Sequence, residues 1–164
     1  MAIILHAKKE VKTAGDLPAV GTVAPDFMLT DQNLNDFRLS DFKGKRVVLN
    51  IFPSIETKTC SMSVRKFNLQ ARTMQDTVVI CVSKDLPFAF YRFCDLELIQ
   101  HVIFGSQYKD SSFSDAYGVD MISGTLLEKL MSRAVVVISP EGIIEYTEQV
   151  QNLSDEPSYK ISND

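Results

Sequence analysis

The sequence lacks the features that mark secreted, membrane-spanning or nucleic-acid-binding chains. Its three cysteines, Cys60, Cys81 and Cys94, are odd in number and far apart, whereas small secreted scaffolds carry dense and usually even sets. A disulfide framework is therefore excluded, and the thiols are free, catalytic or redox-active. No apolar run approaches the roughly 20 residues that cross a bilayer. The apolar run at residues 2–5 is cut off by His6, Lys8 and Lys9; it is too short for a signal-peptide core and its positive charge follows instead of preceding it. A cytoplasmic location is the default expectation. Against 17 basic side chains stand 21 acidic ones, a net charge of −4, so no cationic surplus points to nucleic acid or to an anionic membrane surface. Internal repeats, low-complexity tracts and long linkers are missing too.

What is present is one domain's worth of chain. Its 164 residues, 45% hydrophobic and 23% charged, suffice to close a core without metal or disulfide staples, and a single domain over residues 1–164 is expected. Three short apolar runs stand out: residues 47–52 (VVLNIF), 78–82 (VVICV) and 134–138 (AVVVI). Unbroken apolarity over five or six residues suits strands buried on both faces. Between the first two, Val64, Phe67, Ala71 and Met74 recur at helical spacing, which predicts an amphipathic helix. Strand, helix, strand in that order is a right-handed unit with parallel strands. After the third run, Pro140 and Gly142 sit where a type I turn wants them, ahead of residues 143–147 (IIEYT). The last two strands should therefore form an antiparallel hairpin. This order of elements predicts an α/β, thioredoxin-like fold: a central mixed sheet flanked by helices, with an N-terminal extension at residues 1–46, an insertion at 101–130 before the third core strand, and a short tail with room for a helix.

Cys60 lies four residues before Val64 on the inward stripe of the expected helix, at its N-terminus. Unpaired N–H groups and the positive end of the helix dipole favour a thiolate there. A buried, inert cysteine would be the commoner reading of the residue type alone; the loop-to-helix position reverses it. Because the third strand should run antiparallel to the first, its beginning, at Arg133, falls beside the first strand's end, near Cys60. A guanidinium at that place would lower the thiol pKa and offer a rigid fork of donors to an oxygen-rich substrate. Cys81, inside the second apolar run, reads as a small core residue. His6 and His101 neighbour neither cysteine motif, so a Cys-His hydrolase would need tertiary proximity. With no C-x-x-C pair, a zinc site and a thioredoxin-type dithiol are both disfavoured.

The run from Pro53 to Cys60 (PSIETKTC) resembles the peroxiredoxin signature, Pro, three residues, Thr or Ser, two residues, Cys. Further stretches are similar to the bacterial thiol peroxidases, the atypical two-cysteine branch: residues 24–27 (APDF), 39–45 (LSDFKGK), 63–68 (SVRKFN), 83–89 (SKDLPFA), 92–94 (RFC), 117–119 (YGV) and 133–137 (RAVVV). In order, they span most of the chain. The resemblance implies a peroxidase in which Cys60 is the peroxidatic nucleophile, Thr57 orients peroxide, Pro53 shields the thiolate, Arg133 is the active-site arginine and Cys94 is the resolving cysteine, forming a Cys60–Cys94 disulfide. It also implies peroxide substrates, thioredoxin as reductant and a homodimer, with no cofactor and no metal. A redox sensor that relays oxidation to a partner is the alternative; an internal resolver such as Cys94 favours turnover. Phe88, Phe90, Tyr91 and Phe93, just ahead of Cys94, read first as helix core and second as a dimer surface with an apolar mouth for alkyl hydroperoxides.

Overall fold

The computed structural model describes residues 1–159. In chain order, a hairpin of β1 (Ile3–His6) and β2 (Lys9–Thr13) precedes a second hairpin of β3 (Met28–Thr30) and β4 (Asp36–Arg38). Then come β5 (Arg46–Ile51), α1 (Lys58–Ala71), β6 (Thr77–Ser83), α2 (Pro87–Glu97) and β7 (Ile103–Ser106). The chain continues through α3 (Ser112–Tyr117), β8 (Met121–Ser123), β9 (Ala134–Ile138) and β10 (Ile144–Gln149). The main sheet has seven strands in the order β10-β9-β5-β6-β7-β3-β4, and a small sheet is ordered β1-β2-β8.

The three apolar runs are the centre of the main sheet. β5 and β6 pair in parallel, β9 runs antiparallel to β5 with Ile51 opposite Ala134, and β10 returns along β9 through the expected turn, where the Gly142 N–H donates to the Ser139 carbonyl at 2.9 Å. Their apolarity, broken only by Asn50, has the expected cause. On β5, Val47, Leu49 and Ile51 face one core with Phe27, Phe113 and Tyr117, while Val48 and the following Phe52 face another with Val64, Phe67 and Phe90 from the two long helices. The thioredoxin-like arrangement, a mixed sheet flanked by helices, is borne out.

α1 is built from modest helix formers, including Thr59, Ser61, Ser63, Val64 and Asn68, each costing up to about 0.7 kcal/mol relative to alanine. Burial of Val64 and Phe67, both at 0% exposure, returns about 1.5–3 kcal/mol apiece. Tertiary packing therefore holds this helix. Met74, expected on the same stripe, lies beyond the helix end in a turn, with its N–H donating to the Ala71 carbonyl at 3.3 Å, yet it still packs on the α1 and α2 core.

Two expectations need correction. The segment at 101–130 is not only an insertion, because its first part is β7, which pairs in parallel with β6 and widens the main sheet. The tail carries no helix within residues 151–159; Asn152 organises turns there, accepting the Asp155 N–H on its carbonyl at 2.9 Å and the Ser154 N–H on its side chain at 3.3 Å. The rest of the tail lies outside the described residues. No helix among the described residues is long and apolar enough to cross a membrane.

Candidate active site

The C-terminal ends of β5 and β6 and the start of β9 meet at one edge of the main sheet, and the loop from β5 to α1 crosses it. Thr57 caps α1 in extended conformation and its hydroxyl accepts the Cys60 N–H at 3.4 Å, satisfying one of the helix's orphan donors. The same hydroxyl donates to the Ser54 carbonyl at 3.1 Å. Cys60 thus sits in the first turn of α1, where the sequence puts it, with no exposed surface. Pro53 is buried at the root of the loop and Thr57 is exposed at its outer end.

Arg133 immediately precedes β9 and is 3% exposed. Its Nη1 donates to Cys60 Sγ at 3.4 Å, and its Nε donates to the Leu153 carbonyl at 3.0 Å. The antiparallel pairing of β9 with β5 is what carries Arg133 across, as the order of elements predicts. Cys60, Thr57, Pro53 and Arg133 are therefore brought together on one short stretch of sheet edge.

Cys94 is not in that group. It lies in the second half of α2, half-buried against the core that also holds Cys60 and Cys81, and all three cysteines are free thiols. Burial raises the Cys94 thiol from 9.0 to about 11 and the Cys81 thiol from 9.0 to about 12, the latter opposed by a hydrogen bond from Asn50. Both are protonated at neutral pH. Cys81 is fully enclosed in β6, matching its reading as core. The aromatic cluster splits. Phe90 is fully buried and stacks on Phe104, and Phe93 meets the same ring edge-on, whereas Phe88 and Tyr91 point outward.

Several residues of the site escaped the sequence reading. Asp85, in the loop before α2, accepts the Ser54 hydroxyl at 2.8 Å, the Ile55 N–H at 2.7 Å and the Ser83 hydroxyl at 2.5 Å. Glu56 pairs with Arg92, and Arg65 pairs with Glu97 at 2.8 Å while lying over the Phe93 ring. These contacts clamp α2 and its entry loop against α1 and its entry loop. A cleft of about 210 Å³ lies in that seam, lined by Ile55, Ala89, Arg92, Phe93 and Leu96 among others. A separate cavity of about 600 Å³ lies at the opposite end of β5 and β9, around Val47 and Ile138, and has no part in this site. Behind Cys60, Asn50 donates to Ser63 Oγ at 3.3 Å, and Ser63 in turn donates to the Cys60 carbonyl at 2.8 Å.

Residues 19–161 match the Redoxin family. The chain belongs to the redoxin family. Among related redoxins, a thiol peroxidase from Mycobacterium tuberculosis is 44% identical over 162 residues, covering 99% of this chain and 96% of the relative. A thiol peroxidase from Corynebacterium glutamicum is 42% identical over 150 residues, covering 92% of this chain and 90% of the relative. Of solved redoxin-like folds, a peroxiredoxin-like protein from Aquifex aeolicus superposes with a TM-score of 0.90 at 30% identity, covering 96% of this chain and 91% of that one. The resemblance carried by the Pro53 to Cys60 motif is thereby borne out, and this redoxin falls in the thiol peroxidase branch.

Proposed function

We propose that this redoxin is a thioredoxin-recycled thiol peroxidase whose nucleophile is Cys60. The observation that carries the reading is the Arg133 guanidinium held 3.4 Å from the Cys60 sulfur at the N-terminus of α1. The Cys60 thiolate attacks one oxygen of a peroxide, the O–O bond breaks, and the other oxygen takes a proton and leaves as water or an alcohol. Cys60 is left as a sulfenic acid. Arg133, the Thr57 hydroxyl and the N–H groups of the first turn hold the two oxygens in line and meet the charge that develops on the leaving oxygen. Pro53 keeps bulk water from the thiolate. The relay alternative is not favoured, since the relatives at high identity are thiol peroxidases.

Cys94 then attacks the sulfenic sulfur and expels water, giving a Cys60–Cys94 disulfide that a reduced thioredoxin reopens by thiol exchange. The helices set the condition for this step. Both begin at the same edge of the sheet and lie on the same face. Cys60 is two residues into α1 and Cys94 seven into α2, an axial offset of about 7.5 Å at 1.5 Å per residue. Added to a helix spacing of about 8–10 Å, that leaves the Cα atoms on the order of 10 Å apart, beyond the roughly 7 Å a disulfide tolerates. The first turn of α1 and the end of α2 must therefore unfold locally on each cycle so that the two sulfurs can meet, a sub-global opening of part of the fold.

The chain works as one unit over residues 1–164 in the cytoplasm, where three free thiols are at home. It pairs with a second copy through the apolar residues that α2 turns outward, Phe88 and Tyr91 among them, so a charge at Phe88 should shift the sedimentation coefficient to the monomer value. The deciding assay is peroxide-dependent oxidation of reduced thioredoxin. Wild type should turn over, Cys60→Ser should be inactive, and Cys94→Ser should stall after one turnover as a sulfenic acid. Turnover retained in Cys60→Ser would overturn the reading.

A further inference from the structure

The small sheet of β1, β2 and β8 takes no part in the chemistry above. Its first two strands also precede the segment that matches the Redoxin family, which begins at residue 19. Yet this sheet is wired to Arg133. Leu153 is 3% exposed and packs with Ile4, Val11 and Met121 into a core of their own. The Leu153 N–H donates to the Leu5 carbonyl at 2.8 Å and the Leu5 N–H donates to the Gln151 carbonyl at 2.7 Å, so residues 151–153 are held along β1 by a single parallel bridge between Leu5 and Asn152. On the other side, residues 150–153 meet Arg133 twice. The Val150 N–H donates to the Arg133 carbonyl at 3.0 Å, and the Leu153 carbonyl accepts Arg133 Nε at 3.0 Å.

The consequence follows from the shape of the guanidinium. Its five donors are fixed in one plane, so a single acceptor on Nε sets where Nη1 points. Leu153 is that acceptor, and Nη1 points at Cys60 Sγ. A backbone carbonyl can aim the plane only if its own segment is fixed, and residues 151–153 are fixed by β1 along one edge and by the Leu153 side chain in the hairpin's core. β8 contributes from the other flank. Just after it, residues 130–132 bond back across it, with the Met121 N–H donating to the Leu130 carbonyl at 2.9 Å and the Ser132 N–H to the Val119 carbonyl at 2.8 Å, which fixes the backbone entering Arg133.

We propose that the N-terminal hairpin is a positioning element of the active site, clamping Leu153 so that its carbonyl aims the Arg133 guanidinium at the Cys60 sulfur. This rests on the assignment of Cys60 and Arg133 given above. Ile4 and Val11 pack in the core that holds Leu153 and Met121, and neither Arg133 nor Cys60 belongs to that core, so a change there reaches the sulfur by way of these neighbours and Arg133.

The test is a double-mutant cycle on the full chain, in which the readouts are the second-order rate of Cys60 oxidation by hydrogen peroxide and the pH profile of Cys60 alkylation by iodoacetamide, followed by mass spectrometry of the Cys60 peptide. Ile4→Ala and Val11→Ala should each slow oxidation by about tenfold, the scale of one charge-assisted hydrogen bond, and move the alkylation profile to higher pH. Ile4→Val should restore both. In an Arg133→Ala background the same hairpin changes should have no further effect, because the route they act through is gone; a general loss of stability would instead add to the Arg133→Ala defect. Hydrogen exchange at the Leu5 and Leu153 amides reports whether the clamp has opened. An opened clamp with rate and profile within twofold of wild type overturns the proposal, as does full additivity in the cycle. If Arg133→Ala itself leaves oxidation unchanged, it is the assignment of Arg133 that fails; if Arg133→Ala is slow and the hairpin variants are not, only the role of the hairpin fails.

Discussion

The carboxylate of Asp85 accepts the Ile55 N–H at 2.7 Å, and that one contact ties the loop leading into α2 to the loop leading into α1. Ser54 and Ser83 donate to the same carboxylate, so three donors share an anionic acceptor at the seam that must open during turnover. Asp85→Ala leaves a backbone N–H and two hydroxyls without this partner. It should cost about 1–3 kcal/mol, the penalty for stranding partly buried donors, read as a lower urea midpoint of the reduced protein. It should also loosen the Thr57 cap and slow peroxide reduction. An unchanged midpoint would mean that water replaces the carboxylate without loss.

Arg133 presents donors in a plane, and the sulfur and the Leu153 carbonyl each take one. Arg133→Lys keeps the charge but replaces the fork by a single rotating point. Oxidation of Cys60 by peroxide, followed by stopped flow, should fall by about 10²–10³-fold in Arg133→Ala, the usual effect of removing a preorganised donor to developing charge. Arg133→Lys should recover only a small part of that. Full recovery would show that charge alone matters.

Leu98 caps the C-terminus of α2 and stands in the left-handed region at φ 55 and ψ 44 while its N–H donates to the Cys94 carbonyl. A branched side chain is strained there by about 1–2 kcal/mol, and Leu98 is 76% exposed, so it recovers little of that by packing. The strain sits on the turn that must release Cys94. Leu98→Gly removes it, and a gain near 1 kcal/mol should slow closure of the Cys60–Cys94 disulfide after a peroxide pulse by about fivefold. A faster closure would place the limiting motion elsewhere.

The parts of the fold that were legible in the sequence are those where one local pattern has one cause. Residues 47–52, 78–82 and 134–138 are apolar, Asn50 apart, because helices and loops cover both sides of the main sheet. β7 has no such pattern: it is four residues long and includes Gly105, where a Cβ would lie 2.6 Å from a Leu29 side-chain carbon, so close packing has removed the side chain that would signal a strand. The turn between β1 and β2 was hidden for a related reason. Ala7 and Lys8 both take positive φ, at 51° and 67°, in a place where the usual signal is Asn-Gly. In the site, Cys60, Thr57 and Arg133 could be placed because helix start, cap and strand order are local or topological facts. Asp85 resembles an ordinary residue ahead of a helix, and only the folded chain brings Ser54 and Ile55 to it. Leu153 acts through its carbonyl, which every residue has, so its side chain gives no hint of that role.

Cys81 supplies a prediction whose sign can be worked through. Burial pushes its thiol from 9.0 to about 12, so in the native protein it stays protonated while the same thiol in the unfolded chain ionises near its ordinary value. Below pH 9 both states hold the proton and the residue's contribution to stability is complete. Above pH 9 the unfolded state releases the proton first, which favours unfolding, and stability falls as pH rises towards about 12. The slope from one such group reaches at most about 1.4 kcal/mol per pH unit. Cys94, raised in the same direction, adds to the decline. Urea midpoints of the reduced protein should therefore drop steeply above pH 9. Cys81→Ala should begin lower at pH 7, because it opens a cavity in the core, but decline less steeply, so that the two curves converge. Parallel curves would mean that the Cys81 thiol ionises as readily in the fold as out of it.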